Sequence, residues 1–562
     1  MEFVGESGFC EATGVYHSQW DCTSTSANTR LLFQPSSPPS SSSSSLPGFL
    51  LSPDLPAKPA FVDGATGATL SYGDLRARAA SVARALRGMG VNKGDVVLLV
   101  SPNSLHFSAL VLGIMAAGAV FSTANFLNTR EEMETQVQDS RPVLVVTTQE
   151  LRYKLEGLIS GPLVLVQELL AGQHAQAPQP PAFEGALEVA LGDTAALMYS
   201  SGTTGKSKAV VCSHGNLIAM SRLLGQVWGA GCAARGAARP GDEVYLCAVP
   251  LSHMFGFSLF VCGALAAGAT VVVLGRYSLE RLLGAVGEHG VTRVPAVPPM
   301  VIQMSRAGTA ARRFDLGSLR EVICSGAPLG REHMDRFARS YPGVTLSQCY
   351  GLTETSGPIT LCDGVPGRLH ASIGRLIPSV EAKVADVRTR RGLPPNKLGE
   401  LCVRGPPIMQ GYLNNPEATS LAIDEEGWLH TGDLCYIDGR GLVYLVDRIK
   451  ELIKYKAYQV APAELEEILC RHPDVDDVAV IPHPDEEAGE IPMACVVKRA
   501  GSSVREDDIV SFVASKVAPY KKIRRVRFVD FVPRSPSGKI LRRRLRELTN
   551  LENQRLEISP RL

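Results

Sequence analysis

The stretch from Tyr199 to Lys208, Tyr-Ser-Ser-Gly-Thr-Thr-Gly-Lys-Ser-Lys, has the residue types of a loop that binds phosphate groups. Its two glycines let the backbone turn sharply and aim N–H groups at one point, while hydroxyls and lysines add donors and positive charge. Only two residues separate Gly202 from Gly205, whereas the nucleotide-binding P-loop has four between its first glycine and its Gly-Lys pair. The apolar run 194–198 predicts a buried strand before the loop, which disfavours a plain serine-glycine linker. The stretch therefore predicts a polyphosphate site of another kind.

Lys539 stands out in the basic C-terminal part of the chain. The segment 516–546 contains twelve Lys or Arg residues and one acid, Asp530, and most of such a run is typical of a solvated face. Lys539 differs because it directly follows Pro-Ser-Gly, a turn that presents its charge at a defined place. We therefore treat Lys539 as a candidate functional residue.

Strands and helices alternate through the middle of the chain. Apolar patterns predict helices over 72–88, from 105 and over 214–228, and strands at 96–100, 143–146, 244–246, 270–273, 291–297, 321–323 and 344–346. This order is typical of a doubly wound α/β domain, in which ligands bind beyond the carboxyl ends of the strands. The predicted phosphate loop lies at such a place, because it follows the strand 194–198.

Two apolar windows, 101–128 and 252–275, are long enough to cross a membrane. Each is interrupted by the same phrase, Ala-Ala-Gly-Ala, at 116–119 and at 266–269, and β-branched or aromatic residues follow. A helix, a tight turn and a strand buried on both faces produce this pattern in parallel α/β sheets. We expect no transmembrane span, and the repeated phrase predicts two similar α/β units in the large domain.

A length of 562 residues with 45% hydrophobic residues predicts more than one domain with large buried cores. We expect a disordered Ser/Pro-rich tail over 1–48, a large domain over 49–447, a small α+β domain over 448–546 and a C-terminal tail over 547–562. Further expectations are surface loops at 172–181 and 229–240, and helices at 462–471 and 506–517 in the small domain.

The bulk charge and the cysteines exclude several classes of protein. A formal net charge of +1 provides no general attraction to nucleic acid, so we expect no nucleic-acid partner. The thirteen cysteines include no Cys-x-x-Cys pair, which argues against a zinc ribbon or a disulfide framework and for a reducing compartment. The sequence does not indicate an oligomeric state.

Several motifs together resemble the adenylate-forming enzymes, above all the plant 4-coumarate–CoA ligases and their 4-coumarate–CoA ligase-like relatives. Besides the phosphate loop, they are Gln-Cys-Tyr-Gly-Leu-Thr-Glu at 348–354, Trp-Leu-His-Thr-Gly-Asp at 428–433, Asp-Arg-Ile-Lys-Glu-Leu-Ile-Lys at 447–454 and Pro-Ser-Gly-Lys at 536–539. The resemblance extends over about 61–546. It implies an α/β fold: a large N-terminal domain of two similar α/β subdomains with a small β-rich part, and a small mobile α+β C-terminal domain. It also implies a ligase that uses ATP, Mg²⁺ and coenzyme A to convert a carboxylic acid into acyl-AMP and then acyl-CoA.

The resemblance implies roles for individual residues. Lys539 would bridge the attacking carboxylate and the α-phosphate, His253 would gate the acyl pocket, and Glu354 would help to hold Mg²⁺, which prefers carboxylates and phosphate oxygens. Lys450 would be the hinge about which the small domain swings between the half-reactions. The implied ATP-binding residues are Ser200, Ser201, Gly202, Thr203, Thr204, Lys208, Gln348, Thr353, Asp433 and Arg448. Lys454 and Gln459 would be further catalytic contacts to the adenylate, and Arg276, Lys456 and Ala457 would line the path of coenzyme A.

The implied acyl pocket, formed by Phe255, Ala327 and Cys349, departs from the family pattern. Phe255 stands where hydroxycinnamate-specific relatives carry tyrosine, so it lacks a hydroxyl that could read a phenol. Cys349 replaces a glycine on the pocket floor, the loop that carries Ala327 is one residue shorter, and Ala457 replaces a glycine on the coenzyme A path. We expect an aromatic, 4-coumarate-like acid or a fatty or oxylipin acid as substrate. The alternative is a relative that binds adenylate or nucleotide with little or no thioester synthesis.

Other activities and the location follow from weaker signals. An amino-acid adenylating domain is disfavoured because no carrier-like segment follows Leu545, and a P-loop phosphotransferase is disfavoured by the glycine spacing. The final Pro-Arg-Leu resembles the small-basic-leucine peroxisomal signal. We therefore expect a peroxisomal or a cytoplasmic protein; import through the N-terminal tail is a further alternative.

Overall fold

A computed structural model describes residues 7–18, 44–52, 54–171, 188–200, 207–234, 240–307, 311, 313–362, 371–456, 458–535 and 538–549. The strands of this part of the chain form four β-sheets, and helices pack against them. The strands are β1 Phe9–Cys10, β2 Val15–His17, β3 Pro59–Asp63, β4 Thr69–Ser71, β5 Val96–Val100, β6 Val120–Thr123, β7 Leu144–Thr147, β8 Leu163–Leu165, β9 Thr194–Ser200, β10 Lys208–Ser213, β11 Val244–Cys247, β12 Thr270–Val273, β13 Arg293–Ala296, β14 Glu321–Cys324, β15 Thr345–Leu352, β16 Gly357–Leu361, β17 Arg375–Leu376, β18 Glu381–Ala385, β19 Gly399–Arg404, β20 Gly411–Tyr412, β21 Leu429–Ile437, β22 Val443–Arg448, β23 Ile453–Tyr455, β24 Tyr458–Val460, β25 Val475–Asp485, β26 Gly489–Lys498 and β27 Arg525–Phe528.

The named α-helices join these strands and cover the sheets. They are α1 Leu46–Leu50, α2 Tyr72–Gly88, α3 Phe107–Ala116, α4 Arg130–Ser140, α5 Arg152–Leu155, α6 Val166–Ala171, α7 His214–Ala234, α8 Met254–Gly256 (continued by a π-helix, Phe257–Ala264), α9 Leu279–His289, α10 Pro298–Ala307, α11 Arg331–Ser340, α12 Pro416–Ala422, α13 Pro462–Leu469 and α14 Glu506–Ala514. Short 3₁₀ turns occur at Gln149–Leu151, Pro240–Asp242, Thr353–Thr355, Ile449–Glu451 and Pro519–Lys521.

Two large sheets form the centre of the large domain. One has the order β20-β10-β9-β6-β5-β7-β8, and the other has the order β17-β16-β15-β14-β13-β11-β12-β3-β4. Their inner strands are parallel, as in β6-β5-β7 and β13-β14-β15, and nearly every residue of these strands is buried. Strands of this kind need apolar side chains on both faces, because helices cover both sides of the sheet. The predicted doubly wound α/β domain with two similar units is confirmed.

The repeated Ala-Ala-Gly-Ala phrase forms the same turn in both units. Gly118 has φ +81° after α3, and Gly268 has φ +70° before β12. Glycine suits this left-handed backbone because it has no Cβ. Among the described residues, no helix is long and apolar enough to cross a membrane, as expected from the interrupted windows.

A third sheet, β1-β2-β18-β19-β21-β22, contains the N-terminal residues 7–18. The hairpin β1-β2 pairs with β18, and Phe9 and Tyr16 are buried, with the Tyr16 hydroxyl donating to the Leu393 carbonyl at 3.0 Å. The prediction of a disordered tail over 1–48 is therefore wrong for 7–18 and for 44–48, where Ser45 caps α1. Two strands of two and three residues are too short to give a periodic pattern that sequence reasoning can detect.

The small domain has its own sheet, β24-β23-β26-β25, to which β27 adds beside β26. Its core includes Ile453, Leu465, Val480 and Ile509, whereas the main core of the large domain lies within 9–443. The expected domain boundary at 447 falls between these two cores. Helices α13 and α14 end at Leu469 and Ala514, a few residues before the predicted ends.

The predicted surface loop at 229–240 is wrong for its first half. Helix α7 continues to Ala234, six residues beyond the predicted end at 228. The Gly and Ala residues of this segment suggested a loop, but alanine is the best helix former and continues the helix. The other predicted loop, 172–181, lies outside the described residues.

Candidate active site

Asp433, Tyr350 and Arg448 form a buried polar centre at the edge of the third sheet. Asp433 on β21 lies opposite Arg448 on β22, and its Oδ1 is 3.0 Å from the Arg448 Nε. The Tyr350 hydroxyl, from β15, donates to the Asp433 Oδ2 at 2.5 Å. Burial raises the pKa of Asp433, and the Arg448 guanidinium opposes this rise. Because each carboxylate oxygen has two lone pairs, Asp433 can also accept hydrogen bonds from a pair of ligand hydroxyls such as those of ribose.

Lys539 of the small domain faces this centre. The charges that act on its ammonium group come from Arg448, Glu451, Asp433 and Arg542. Burial and the nearby Arg448 lower the pKa of Lys539. The preceding residue, Gly538, has φ +81°, and a Cβ built there would lie 2.7 Å from the Pro299 Cδ, at the start of α10. The turn therefore packs against the large domain so closely that only glycine fits.

Ser200 and Lys208 are the residues of the predicted phosphate loop that the structure describes, because 201–206, with Ser201, Gly202, Thr203 and Thr204, lie outside the described residues. The Ser200 Oγ is buried and has no hydrogen-bond partner within the described part of the chain. Lys208, at the start of β10, places its Nζ 4.7 Å from the centre of the Tyr412 ring. A buried hydroxyl without a partner beside a lysine fits an anionic ligand, because an unsatisfied buried polar group is costly.

Glu354 lies on the same side of the site, in the 3₁₀ turn that follows β15. Its Oε1 accepts a hydrogen bond from the Tyr412 hydroxyl at 2.9 Å, so the carboxylate is oriented. One oriented carboxylate near a phosphate site matches the preference of Mg²⁺ for one or two carboxylates plus phosphate oxygens. The residues present therefore fit a magnesium ion. Thr353 begins the same turn, and Gln348, buried on β15, donates from Nε2 to the Ser372 carbonyl at 3.4 Å.

His253 lies at the N-terminus of α8, where its Nδ1 accepts the Phe255 N–H at 3.2 Å. This hydrogen bond makes Nδ1 the acceptor, so a neutral ring carries its proton on Nε2. The ring is accessible to solvent yet closely surrounded by protein atoms, and this desolvation lowers its pKa. A neutral histidine that is enclosed but accessible is typical of the wall of a cleft.

The other predicted pocket residues lie on nearby strands and loops. Cys349 on β15 is buried, and burial raises the pKa of its thiol to about 12, so it acts as a packing residue rather than a nucleophile. The Ser325 hydroxyl donates to the Cys349 carbonyl at 2.8 Å. Ala327 is half-buried in the same loop, and Phe255 is half-buried beside His253. The hydrogen bond from Ser325 to Cys349 holds the short loop against β15.

The residues predicted to make further contacts to the adenylate, to line the coenzyme A path and to form the hinge lie in exposed segments. Lys454 and Gln459 face each other across the β23-β24 hairpin, and both are exposed. Lys456, with φ +51°, is ion-paired with Glu487 at 2.8 Å. Ala457 lies outside the described residues, whereas Arg276 after β12 and Lys450 in its 3₁₀ turn are exposed. These described residues are thus exposed, whereas Lys539 is half-buried near Asp433 and Arg448.

Tyr350 and Tyr412 are site residues that sequence reasoning missed. Both hydroxyls orient a carboxylate, Asp433 and Glu354 respectively. Tyr350 is part of the motif 348–354 and could have been considered, since a buried tyrosine usually has a hydrogen-bond partner. Tyr412 could not be identified from the sequence, because its strand β20 is far from β10 in the chain and pairs with it only in the folded protein.

A second polar cluster supports the turn before Asp433. The Glu400 Oε1 accepts the Gly432 N–H at 3.2 Å, and Gly432 has φ +69°. Within the described residues, Glu400, Cys402 and His430 are also the one set close enough to share a metal ion. However, Arg390 already contacts the Glu400 carboxylate, and hydrogen bonds to Cys402 and Glu400 raise the pKa of His430 to about 10. The cluster is therefore a charge-compensated support for the turn.

Comparisons with known proteins agree with this geometry. The family model for "AMP-binding enzyme" matches residues 53–413, and the model for "AMP-binding enzyme C-terminal domain" matches residues 464–539. The chain is 48% identical to the putative 4-coumarate–CoA ligase-like 8 of Oryza sativa subsp. japonica, over 96% of this chain and 97% of that protein. It is 42% identical to the peroxisomal OPC-8:0-CoA ligase 1 of Arabidopsis thaliana, over 96% of this chain and 97% of that protein.

A solved structure shares the fold of this chain. ATP-bound MatB from Rhodopseudomonas palustris matches with a TM-score of 0.81 and 27% identity, over 90% of this chain and 98% of that chain. The apo form of MatB matches less closely, with a TM-score of 0.71 over the same shares.

Proposed function

The chain belongs to the family of AMP-binding enzymes and is an ATP-dependent acid–CoA ligase, and from this premise we propose that its acid is a fatty or oxylipin-type carboxylic acid. The enzyme would convert this acid first into acyl-AMP and then into the CoA thioester. The observation that supports the assignment of residues is that Lys539, from the small domain, lies close enough to Asp433 and Arg448 for their charges to shift the pKa of its ammonium group. A lysine delivered by one domain to a nucleotide-binding centre of the other can act in one half-reaction and be withdrawn for the next.

In the first half-reaction, an oxygen of the substrate carboxylate attacks the α-phosphorus of ATP and pyrophosphate leaves. Negative charge accumulates on the α-phosphate, and the Lys539 ammonium group would stabilise it while orienting the carboxylate. Asp433 would accept the ribose hydroxyls, and the Arg448 guanidinium and the Tyr350 hydroxyl keep its carboxylate oriented. Ser200 and Lys208 would contact the phosphates, together with the loop residues between them.

Magnesium fits the same side of the site. Glu354 would hold it, with the carboxylate orientation fixed by the Tyr412 hydroxyl. When bound, the ion would neutralise charge on the phosphate oxygens and on the leaving pyrophosphate. His253 would stand at the wall of the acyl pocket as a neutral ring.

In the second half-reaction, the thiol of coenzyme A attacks the acyl carbonyl carbon, and AMP leaves. We place Lys454, Gln459, Lys456 and Ala457 in this step, because the hairpin that carries the first three is exposed while Lys539 occupies the site. A swing about Lys450 would exchange the two surfaces, which is a hinge motion that assembles two active sites in turn. Arg276, exposed after β12, would line the path of coenzyme A.

Two observations support a fatty or oxylipin acid over a phenolic acid. Phe255 presents an apolar ring beside His253, so it offers no hydroxyl to a phenol. Discrimination between a phenol and an apolar group requires a polar partner in the pocket, because an unmatched polar group is what penalises the wrong substrate. A 42% identical relative is named as an OPC-8:0-CoA ligase.

The test is a panel assay with purified protein, ATP and Mg²⁺ that follows pyrophosphate and CoA thioester separately. We expect one fatty or oxylipin acid to give both products, with cinnamic acids giving less. A higher kcat/KM for a cinnamic acid would refute the proposed substrate class. Pyrophosphate without thioester would identify a protein that forms adenylate and lacks the second step. The variant Lys539→Ala should lower pyrophosphate release about 10²- to 10³-fold, the usual effect of removing a charge-stabilising group, and should affect thioester formation from supplied acyl-AMP much less.

We place the protein in peroxisomes. The support is a 42% identical relative whose name describes it as peroxisomal. A fluorescent protein fused to the N-terminus should co-localise with a peroxisomal marker, and deletion of the last three residues should release it into the cytosol. Unchanged localisation after the deletion would contradict this placement.

A further inference from the structure

Lys539 reaches the site only if the turn that carries it is held in the right place within the small domain. We propose that Glu451 and Arg542 are positioning residues for the adenylation step, because their ion pair ties the lysine-bearing turn to the start of the small domain, three residues after Arg448. This inference rests on the proposed role of Lys539 in that step.

Arg542, three residues after Lys539, has a mostly buried side chain that contacts three polar groups. One terminal nitrogen of its guanidinium contacts the Glu451 carboxylate, and the other lies 2.7 Å from the Glu466 Oε1. Its Nε donates to the Val480 carbonyl at 3.2 Å. The side chain of Arg542 is only 12% exposed. Since all three nitrogens are engaged, the planar guanidinium has one orientation in this state, which a lysine could not reproduce.

Glu451 belongs to the segment that joins the domains. It ends the 3₁₀ turn Ile449–Glu451, which directly follows Arg448 at the end of β22. Its carboxylate also raises the pKa of Lys539 and of Arg448, so it is near both cations of the site as well as Arg542. Glu466 is anchored independently, because its Oε1 also accepts the Val480 N–H at 2.8 Å.

Hydrogen bonds between the described residues close the turn around Lys539. The Ser535 N–H donates to the Lys539 carbonyl at 2.8 Å, and the Lys539 N–H donates to the Ser535 hydroxyl at 3.2 Å. The Leu541 N–H donates to the Pro533 carbonyl at 2.8 Å and closes the turn. These bonds fix the shape of the turn, whereas Arg542 fixes its place relative to Glu451.

Loss of the Glu451–Arg542 pair should therefore impair one half-reaction. The turn would remain folded, but the Lys539 ammonium would lie in the adenylate site for a smaller fraction of the time. Misplacement of a reacting group by about 1 Å can reduce a rate about 100-fold. Thioester formation from supplied acyl-AMP does not need Lys539 and should change little.

The pH profile distinguishes this role from a purely structural one. The Glu451 carboxylate raises the pKa of Lys539, opposing the effect of burial and of Arg448. The variant Glu451→Gln should therefore lower the pKa of Lys539. Because the protonated lysine is the active form, the alkaline limb of the adenylation rate should move to lower pH. A loss of packing alone would reduce the rate without moving this limb.

The experiment uses the full chain with the variants Glu451→Gln, Arg542→Met, Arg542→Lys and the double variant E451Q/R542M. Pyrophosphate release with the acid reports adenylation, and thioester formation from supplied acyl-AMP and coenzyme A reports the second step. Thermal unfolding identifies variants that fail to fold; the double variant leaves fewer unpaired buried charges than Arg542→Met. Lys521→Met, which breaks a pair between Lys521 and Glu464 at 2.7 Å in the same domain, is the matched control.

We expect each single variant to lower adenylation about tenfold or more and the thioester step less than about threefold. The double variant should be no slower than the slower single variant, because both remove the same interaction. Equal loss in both steps by the folded variants, or no loss in either, would overturn the inference. If Lys539→Ala itself retains adenylation, the proposed role of Lys539 fails and this inference fails with it. If Lys539→Ala loses adenylation while Arg542→Met does not, only this inference fails.

Discussion

Removal of the Tyr350 hydroxyl tests whether Asp433 must be held in place to bind the nucleotide. The hydroxyl donates to the Asp433 Oδ2 at 2.5 Å, and both residues are buried, so no solvent replaces it. A hydrogen bond to a charged group contributes about 1.5–3 kcal/mol, and 1.4 kcal/mol corresponds to a factor of ten in affinity. We expect Tyr350→Phe to raise the KM for ATP about 10- to 100-fold, with a smaller change in kcat.

The same variant should change the pH dependence of catalysis. Burial raises the pKa of Asp433, whereas Arg448 and the hydrogen bond from Tyr350 lower it. Without that hydrogen bond the pKa of Asp433 should rise further, so the carboxylate is protonated at a higher pH. The acid limb of kcat/KM for ATP should therefore move to higher pH.

The assay is pyrophosphate release as a function of ATP concentration between pH 5 and 9 for the wild type and two variants. Tyr436→Phe is the matched control. Tyr436 lies on β21, the strand that carries Asp433, and its ring stacks on that of Tyr444 with the ring centres 4.8 Å apart. If Tyr350→Phe is folded and keeps both the KM for ATP and the acid limb of the wild type, the hydroxyl does not position Asp433 and the reasoning is refuted.

Three further predictions concern stability and the acyl pocket. His214 is buried and its Nδ1 accepts the Leu46 N–H at 3.1 Å; burial lowers its pKa from 6.5 to about 4. Between pH 4 and 6.5 the unfolded chain therefore binds more protons than the folded protein. About 3 kcal/mol of the free energy of unfolding, present above pH 6.5, should be lost as the pH falls towards 4. Urea unfolding as a function of pH measures this loss, and His214→Gln is the comparison variant. Tyr16→Ala should destabilise the protein by about 3–5 kcal/mol, because it removes a buried ring and the hydrogen bond from its hydroxyl to the Leu393 carbonyl. A melting temperature equal to that of the wild type would refute the packing role of the hairpin. Cys349→Gly should shift the preference to bulkier acyl groups in the panel assay; unchanged relative kcat/KM values would place Cys349 outside the pocket.

The sequence is sufficient to predict those helices and strands whose apolar residues follow a clear pattern along the chain. Strands such as β5, β12 and β14 are short apolar runs between predicted helices, and their parallel pairing follows from the alternation. Even the two windows of membrane-like hydropathy were interpretable, since the glycine in each repeated phrase marks the turn. These features depend on residues that are close in the chain.

What could not be predicted depends on contacts between distant parts of the chain. The hairpin of residues 7–18 becomes stable only by adding to β18, which lies more than 360 residues away. Tyr412 and Tyr350 acquire their roles because strands from different sheets bring them to Glu354 and Asp433. Neither a period nor a motif contains this information, because a hydroxyl has a function only after a partner is placed beside it.

The segment that joins the domains shows how one set of residues can serve binding and motion together. The Asp447 Oδ1 accepts the Arg448 N–H at 2.7 Å, and its Oδ2 accepts the Ala463 N–H at 2.9 Å at the start of α13. A swing about Lys450 would leave the Arg448–Asp433 pair intact, since both residues precede the hinge. It would break the bond from Asp447 to Ala463, which crosses the hinge, and would withdraw Lys539 from Asp433. With Lys450 as the proposed hinge, contacts such as Asp447–Ala463 that span position 450 would hold the adenylation state, whereas the Arg448–Asp433 pair would not depend on it, so a bound nucleotide would stay in place while the small domain moves.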